Sequence, residues 1–166
     1  MIELVLVIVI STIFAAVIFF DLNLGSNQVN SAVNKVVADL RYAQQLAITT
    51  QTRHGMTITS TAAYTVHWDV PPDTAVSDPV QMASSLAVNF DTFRQGQLNG
   101  VRFSSATPFQ TAACPGSGAA VIEFNSAGAP TDTSGTVLTC DSTLTLTRSG
   151  VTSTITIRKN TGYVVY

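Results

Sequence analysis

The sequence predicts an α+β protein, with a long N-terminal helix packed on an antiparallel β-sheet head. The helix is expected to be apolar in its first half and amphipathic in its second. Three observations carry this. Residues 2–20 form an almost unbroken apolar run, residues 29–47 place apolar side chains at helical spacing, and from His54 the apolar period drops to two.

Ile2 to Phe20 is Ile, Leu, Val, Phe and Ala, interrupted only by Glu3, Ser11 and Thr12. About 20 apolar residues suffice to cross a bilayer as a helix. In lipid the backbone must pair internally, which overrides the weak helix preference of the β-branched residues. A cleaved secretory signal would carry a basic start, a shorter apolar core and a small-x-small cleavage site. Here no Lys or Arg precedes the run, and it ends in Ile18, Phe19, Phe20 and Asp21. The expectation is a retained transmembrane or filament-core helix over 1–25, with a plain membrane anchor as the alternative.

Beyond Asp21, Val29, Val33, Val36, Leu40, Ala43 and Ala47 recur at alternating steps of four and three, widened by Val37 and Leu46. Asn30, Asn34, Asp39, Arg41 and Gln45 fall mainly off that stripe. The pattern predicts an amphipathic helix over 26–53 with one face to bury. Gly25 is the weak point, where a kink or a break into two helices is expected if one occurs. Taken as one helix to about residue 52, the segment would be roughly 75 Å long at 1.5 Å per residue.

Residues 54–166 read as the β-rich head. Met56–Thr59 and Tyr64–Trp68 form the arms of a hairpin turning near 60–63. Residues 73–87 read as a loop or irregular crossing. Further strands are expected at 87–93, 101–104, 121–124, 137–139, 144–148 and 154–158, and the tail 162–166 has strand composition. Gly96–Gly100, Ala127–Pro130 and Ser149-Gly150 punctuate them as turns.

Composition narrows function mainly by exclusion. Charged residues make up 11% of the chain, against about 25% in an average soluble domain. The eight Lys and Arg are scattered from Lys35 to Lys159 and the net charge is −2. Nucleic acid is therefore not an expected partner, because duplex binding needs a basic stripe to neutralise phosphates. No Gly-x-Ser-x-Gly, phosphate loop or His-Glu-x-x-His occurs. His54 and His67 fall in the first hairpin, with Asp69 beside His67 as a surface pair. Trp68 and the tyrosines read as packing or subunit-contact residues. No catalysis, cofactor or metal is expected.

Cys114 and Cys140 match no zinc spacing. In a chain with a membrane-targeting segment, an even count favours a disulfide over two buried thiols. That bond would add roughly 3 kcal/mol in the chain-entropy picture.

The opening Met1-Ile2-Glu3-Leu4-Val5-Leu6-Val7-Ile8-Val9-Ile10 resembles the start of mature type IV pilins and type II secretion pseudopilins. Those chains begin Phe-Thr-Leu-Ile-Glu-Leu after a leader is removed. Ile2, Glu3 and Leu4 match, and Met1 stands where the family has Leu. One expectation is that Met1 is a Leu codon read as a start, with a basic leader ending Gly-Phe-Thr encoded upstream.

Ala38-Asp39-Leu40-Arg41-Tyr42-Ala43-Gln44-Gln45-Leu46-Ala47-Ile48, Phe124-Asn125-Ser126-Ala127-Gly128 and the closing Ile155 to Val164 are similar to GspH/FimT-type minor pseudopilins. The resemblance implies the pilin fold and a subunit of a type IV pilus or type II secretion pseudopilus. It also implies copies of itself or other pilin-like chains as partners, and processing by a prepilin peptidase and an assembly machinery. Residence in the bacterial inner membrane with the head in the periplasm would precede entry into a filament. A minor tip subunit whose head binds DNA, a surface or secretion cargo is the alternative.

The implied role of Glu3 is to pair with the N-terminal ammonium of a neighbouring subunit. A lone carboxylate in a membrane helix is otherwise unfavourable, by roughly 2.5 to 3.5 kcal/mol at mid-membrane. Relatives that take up DNA carry Gly-Arg-x-Arg in the last loop. The matching positions here, Gly162-Tyr163-Val164-Val165, hold no arginine.

Overall fold

The structure, a computed structural model, describes residues 2–68, 74–80, 84–105, 107, 109–110 and 118–166, apart from the side chains of 4, 14–25 and 110. One helix, α1 (Ile2–Thr50), runs through Gly25 without a break. The alternating four-and-three spacing does what its geometry requires. Val29, Val33, Val36, Val37, Leu40, Ala43 and Ala47 are all buried, and Ala32 joins them. α1 ends where Gln51 enters the left-handed region at φ 57°, a common way to stop a helix.

The chain then turns into β1 (His54–Ser60), which pairs antiparallel with β2 (Ala63–Trp68). Met56 faces Val66 and Ile58 faces Tyr64 in the register, with an irregularity between Ile58 and Ser60. Alternation sends these four side chains to the core. β3 (Thr74–Ala75) and β4 (Ala87–Asn89) both pair with the outer edge of β2, and β8 (Val121–Phe124) and β9 (Pro130–Thr131) extend the sheet on the other side of β1.

A second antiparallel sheet has the order β12-β11-β10-β5. Its strands are β5 (Arg102–Phe103), β10 (Ser142–Arg148), β11 (Val151–Ile157) and β12 (Val164–Val165). β6 (Phe109–Gln110) and β7 (Gly118–Ala119) make a separate short pair. α1 packs against strands of both larger sheets. Among the described residues the expected single sheet is thus two larger sheets and a short pair, and Leu144, Leu146, Ile155 and Ile157 of the second sheet complete the core. Tyr64, Phe90 and Phe103 knit the centre, with ring centroids 5.2–6.1 Å apart.

Several expectations need correction. The strand at 87–93 stops at Asn89, and Phe93 instead opens a tight turn, Phe93–Gly96. Val137–Thr139 is not a strand: Val137 makes one isolated bridge to Thr131 and Leu138 is buried. Pro130, expected in a turn, begins β9. It has no N–H to give, and its carbonyl accepts from Leu138 N–H at 2.9 Å. Residues 74–75 are paired rather than loop.

Asp39, expected off the buried stripe, is 6% exposed. It is held by Lys35 Nζ at 2.6 and 2.8 Å and by Tyr64 O–H at 2.6 Å. Burial, then the charge and hydrogen bond of Asp39, push the Tyr64 hydroxyl well above its ordinary 10.0. This contact fastens the helix to the hairpin. Tyr64→Phe is expected to lower unfolding stability by about 1.5–3 kcal/mol, the range for a hydrogen bond to a charged group. Chemical denaturation would show it; an unchanged midpoint would remove the bond from the account.

Candidate assembly surface

Ahead of the head, α1 is apolar on every side. Ile2, Val5, Leu6, Val7, Ile8, Val9, Ile10 and Ile13 are 45–84% exposed, and consecutive exposed positions on a helix cannot share one face. A continuous apolar surface of this kind marks a binding or membrane-contact region. Its two hydroxyls are already satisfied: Ser11 Oγ donates to Val7 O and Thr12 Oγ1 to Val9 O, each at 2.8 Å. The segment therefore offers no unpaired side-chain donor to an apolar neighbour, and Glu3, also exposed, is its one charge.

Among the described residues no helix is long and apolar enough to cross a membrane. The side chains of 14–25, which complete the run, lie outside that description.

Along the head the exposed stripe of α1 is Asn27, Ser31, Asn34, Ala38, Arg41, Gln45 and Ile48. Arg41 is its one charge, and Nη2 donates to Val164 O at 3.0 Å. The C-terminal tail is tied alongside. Gln44 Nε2 donates to Gly128 O and Thr161 O, both at 2.8 Å, and Tyr166 O–H donates to Asn34 Oδ1. Gly162 makes this approach possible: its φ is +64°, and a Cβ there would lie 2.5 Å from Gln44 Nε2. Tyr163 and Tyr166 stay exposed beside the helix.

The other residues singled out in the sequence fall elsewhere in the head or outside its description. Cys140 is disulfide-bonded, while Cys114 and Asp69 lie outside the described residues. His67 is not a surface residue but is 2% exposed. Its Nδ1 is 3.2 Å from Thr57 Oγ1, and its Nε2 is 3.7 Å from Glu123 Oε1, beyond hydrogen-bond reach.

Arg53 Nη1 lies 3.2 Å from the other Glu123 oxygen. That approach balances charge without hydrogen-bond geometry. The His67–Glu123 approach escaped the sequence reading because Gly55 separates the two in register, facing both. No group of three metal-binding side chains occurs among the described residues.

Arg53 also faces the turn that follows β9. There burial raises the Asp132 carboxyl, but hydrogen bonds from Ser134 Oγ and the N–H groups of Thr136 and Ser134, with the Arg53 charge, outweigh it and hold the group below 3.8. A carboxyl depressed in the folded state stabilises above its unfolded value and loses that contribution as pH falls through the folded one. Stability to thermal unfolding is therefore expected to fall below about pH 4, and to fall less in Asp132→Asn. Identical acid profiles would contradict this.

A long helix packed on an antiparallel head is a fold this chain shares with a solved pilin. The chain is similar in fold to the crystal structure of the type IV minor pilin FimU of Pseudomonas aeruginosa strain PAO1. The TM-score is 0.51 and identity 15%, over 84% of this chain and 88% of that one. No family model matches the chain, and no curated protein matches it.

Proposed function

We propose that this chain is a structural subunit of a type IV pilus or a type II secretion pseudopilus, polymerising through α1 and carrying out no catalysis. The observation that supports it most is the exposed apolar segment Ile2–Ile13 on a helix continuous with the head. Residues 1–25 hold the subunit in the inner membrane until assembly exchanges lipid contacts for contacts with neighbouring helices. A prepilin peptidase and an assembly machinery serve it there. Gly25 lets the helix bend or stretch as packing tightens, and Cys114 pairs with Cys140.

Glu3 pairs with the N-terminal ammonium of the next subunit. In a dry filament core that pairing favours one axial register over slipped ones. The GspH/FimT-type likeness of the head segments favours a minor subunit.

Expression with the assembly machinery, followed by shearing of surface filaments, tests this reading. The chain is expected in the sheared fraction or in a periplasmic filament, and Ile8→Lys is expected to leave it monomeric. Equal recovery of the Ile8→Lys chain in filaments would overturn the proposal.

A further inference from the structure

We propose that the base of the head is a membrane-docking surface, on which Arg94 meets the phosphate headgroups of the bilayer before assembly. This rests on the membrane insertion of residues 1–25 proposed above, and adds a contact made by the head itself.

The position follows from the helix. Val29 is the first buried residue of the described part of α1, so the head begins there. Asp21 is the first ionisable residue after the apolar run. At 1.5 Å per residue, Asn27 stands about 9 Å beyond it along the axis. The headgroup layer is about 5–8 Å deep on each side, so the head residues beside Asn27 stand at its outer edge.

Two adjoining hollows of about 360 and 450 Å³ share Lys35, Phe93 and Arg94, and the first opens at the level of Asn27. Asn27, Gln28 and Ser31 of α1 line the first, and Val80, 85% exposed, lines the second. The turn between them has an unusual backbone. Arg94, Gln95 and Gly96 all lie in the left-handed region, at φ 42°, 62° and 85°, which side-chain-bearing residues avoid.

That turn seats the exposed Arg94 guanidinium 5.5 Å from the centre of the Phe93 ring. Lys35, Arg53, Arg102 and Arg158 each face a carboxylate. Arg94 has no hydrogen-bond or ion-pair partner among the described residues. Asp78 is the acid in the second hollow, and its Oδ1 accepts Val80 N–H at 2.7 Å.

An outward cation backed by an aromatic ring, with an exposed aliphatic side chain nearby, suits an anionic lipid surface. The charge meets phosphate and the apolar groups enter the headgroup boundary.

The test uses the full chain, carrying Gln97→Cys labelled with an environment-sensitive dye. It is reconstituted in vesicles of phosphatidylcholine alone or mixed with phosphatidylglycerol, with a headgroup-attached quencher. Quenching is expected to be stronger in the mixed vesicles and to weaken in high salt. Arg94→Glu is expected to lower head occupancy at least about fivefold, the worth of one basic residue at such a surface, and Arg94→Lys to restore much of it.

Equal quenching in the Arg94→Glu chain, with the protein still resistant to carbonate extraction, overturns this inference alone. Extraction by carbonate removes the insertion reading and this one with it. Shielding of the dye only in concentrated oligomers, in lipid of either charge, makes the base of the head a subunit contact and also overturns the proposal.

Discussion

Glu3→Ala is expected to reduce assembled filament at least tenfold while leaving the unfolding of the head unchanged. The carboxylate is the one charge on the exposed apolar end of α1. In the proposed filament it meets the ammonium of the next subunit where water is excluded. Breaking a buried pair by removing one partner is unfavourable by about 3–5 kcal/mol, because the remaining charge stays desolvated. Tenfold corresponds to about 1.4 kcal/mol, so that threshold allows for partial relaxation.

Glu3→Asp keeps the charge with a shorter reach and is expected to retain most assembly. Sheared-filament yield beside a denaturation curve of each variant makes the comparison. Normal yield from Glu3→Ala would show that the carboxylate has no part in register.

Gly55→Val is expected to unfold the head or to destabilise it by at least about 3 kcal/mol. Gly55 lies in the middle of β1, paired with His67 on one side and Glu123 on the other. A Cβ there would press into Ile122 O and lie 2.8 Å from Glu123 Cγ and 2.9 Å from its Cα. Backbone atoms of a paired strand cannot move aside without opening the sheet. Circular dichroism and denaturant titration of the variant measure the effect. A wild-type midpoint would mean that β1 and β8 are set further apart than described.

The long helix was legible because its signal is local and repeated. Each residue of the four-and-three stripe from Val29 to Ala47 is buried. The hairpin was legible for the same reason, since Met56, Ile58, Tyr64 and Val66 alternate on both arms.

What failed to show depended on distant partners. Asp39 looked solvent-facing until Tyr64, 25 residues on, reached it. The division into two sheets turns on β10 and β11 pairing with each other and not with β1 or β8, and a strand's period does not say which strand it pairs with. Pro130 was misread because proline usually marks a turn, whereas at this position only its carbonyl is required. The contact between His67 and Glu123 is a matter of register alone. Glu3 was marked by its isolation in an apolar run and by the motif around it. Arg94 carried no sequence signal, because its prominence comes from the left-handed turn beneath it.

Photo-crosslinking in assembling cells tests the central claim most directly. A photoreactive residue at Ile8 or Ile10 is expected to give ladders of this chain with itself or other pilin-like chains, whereas one at the exposed Thr152 of β11 gives none along the same axis. Monomer alone from both helix positions, with ladders from the head position, would contradict polymerisation through α1.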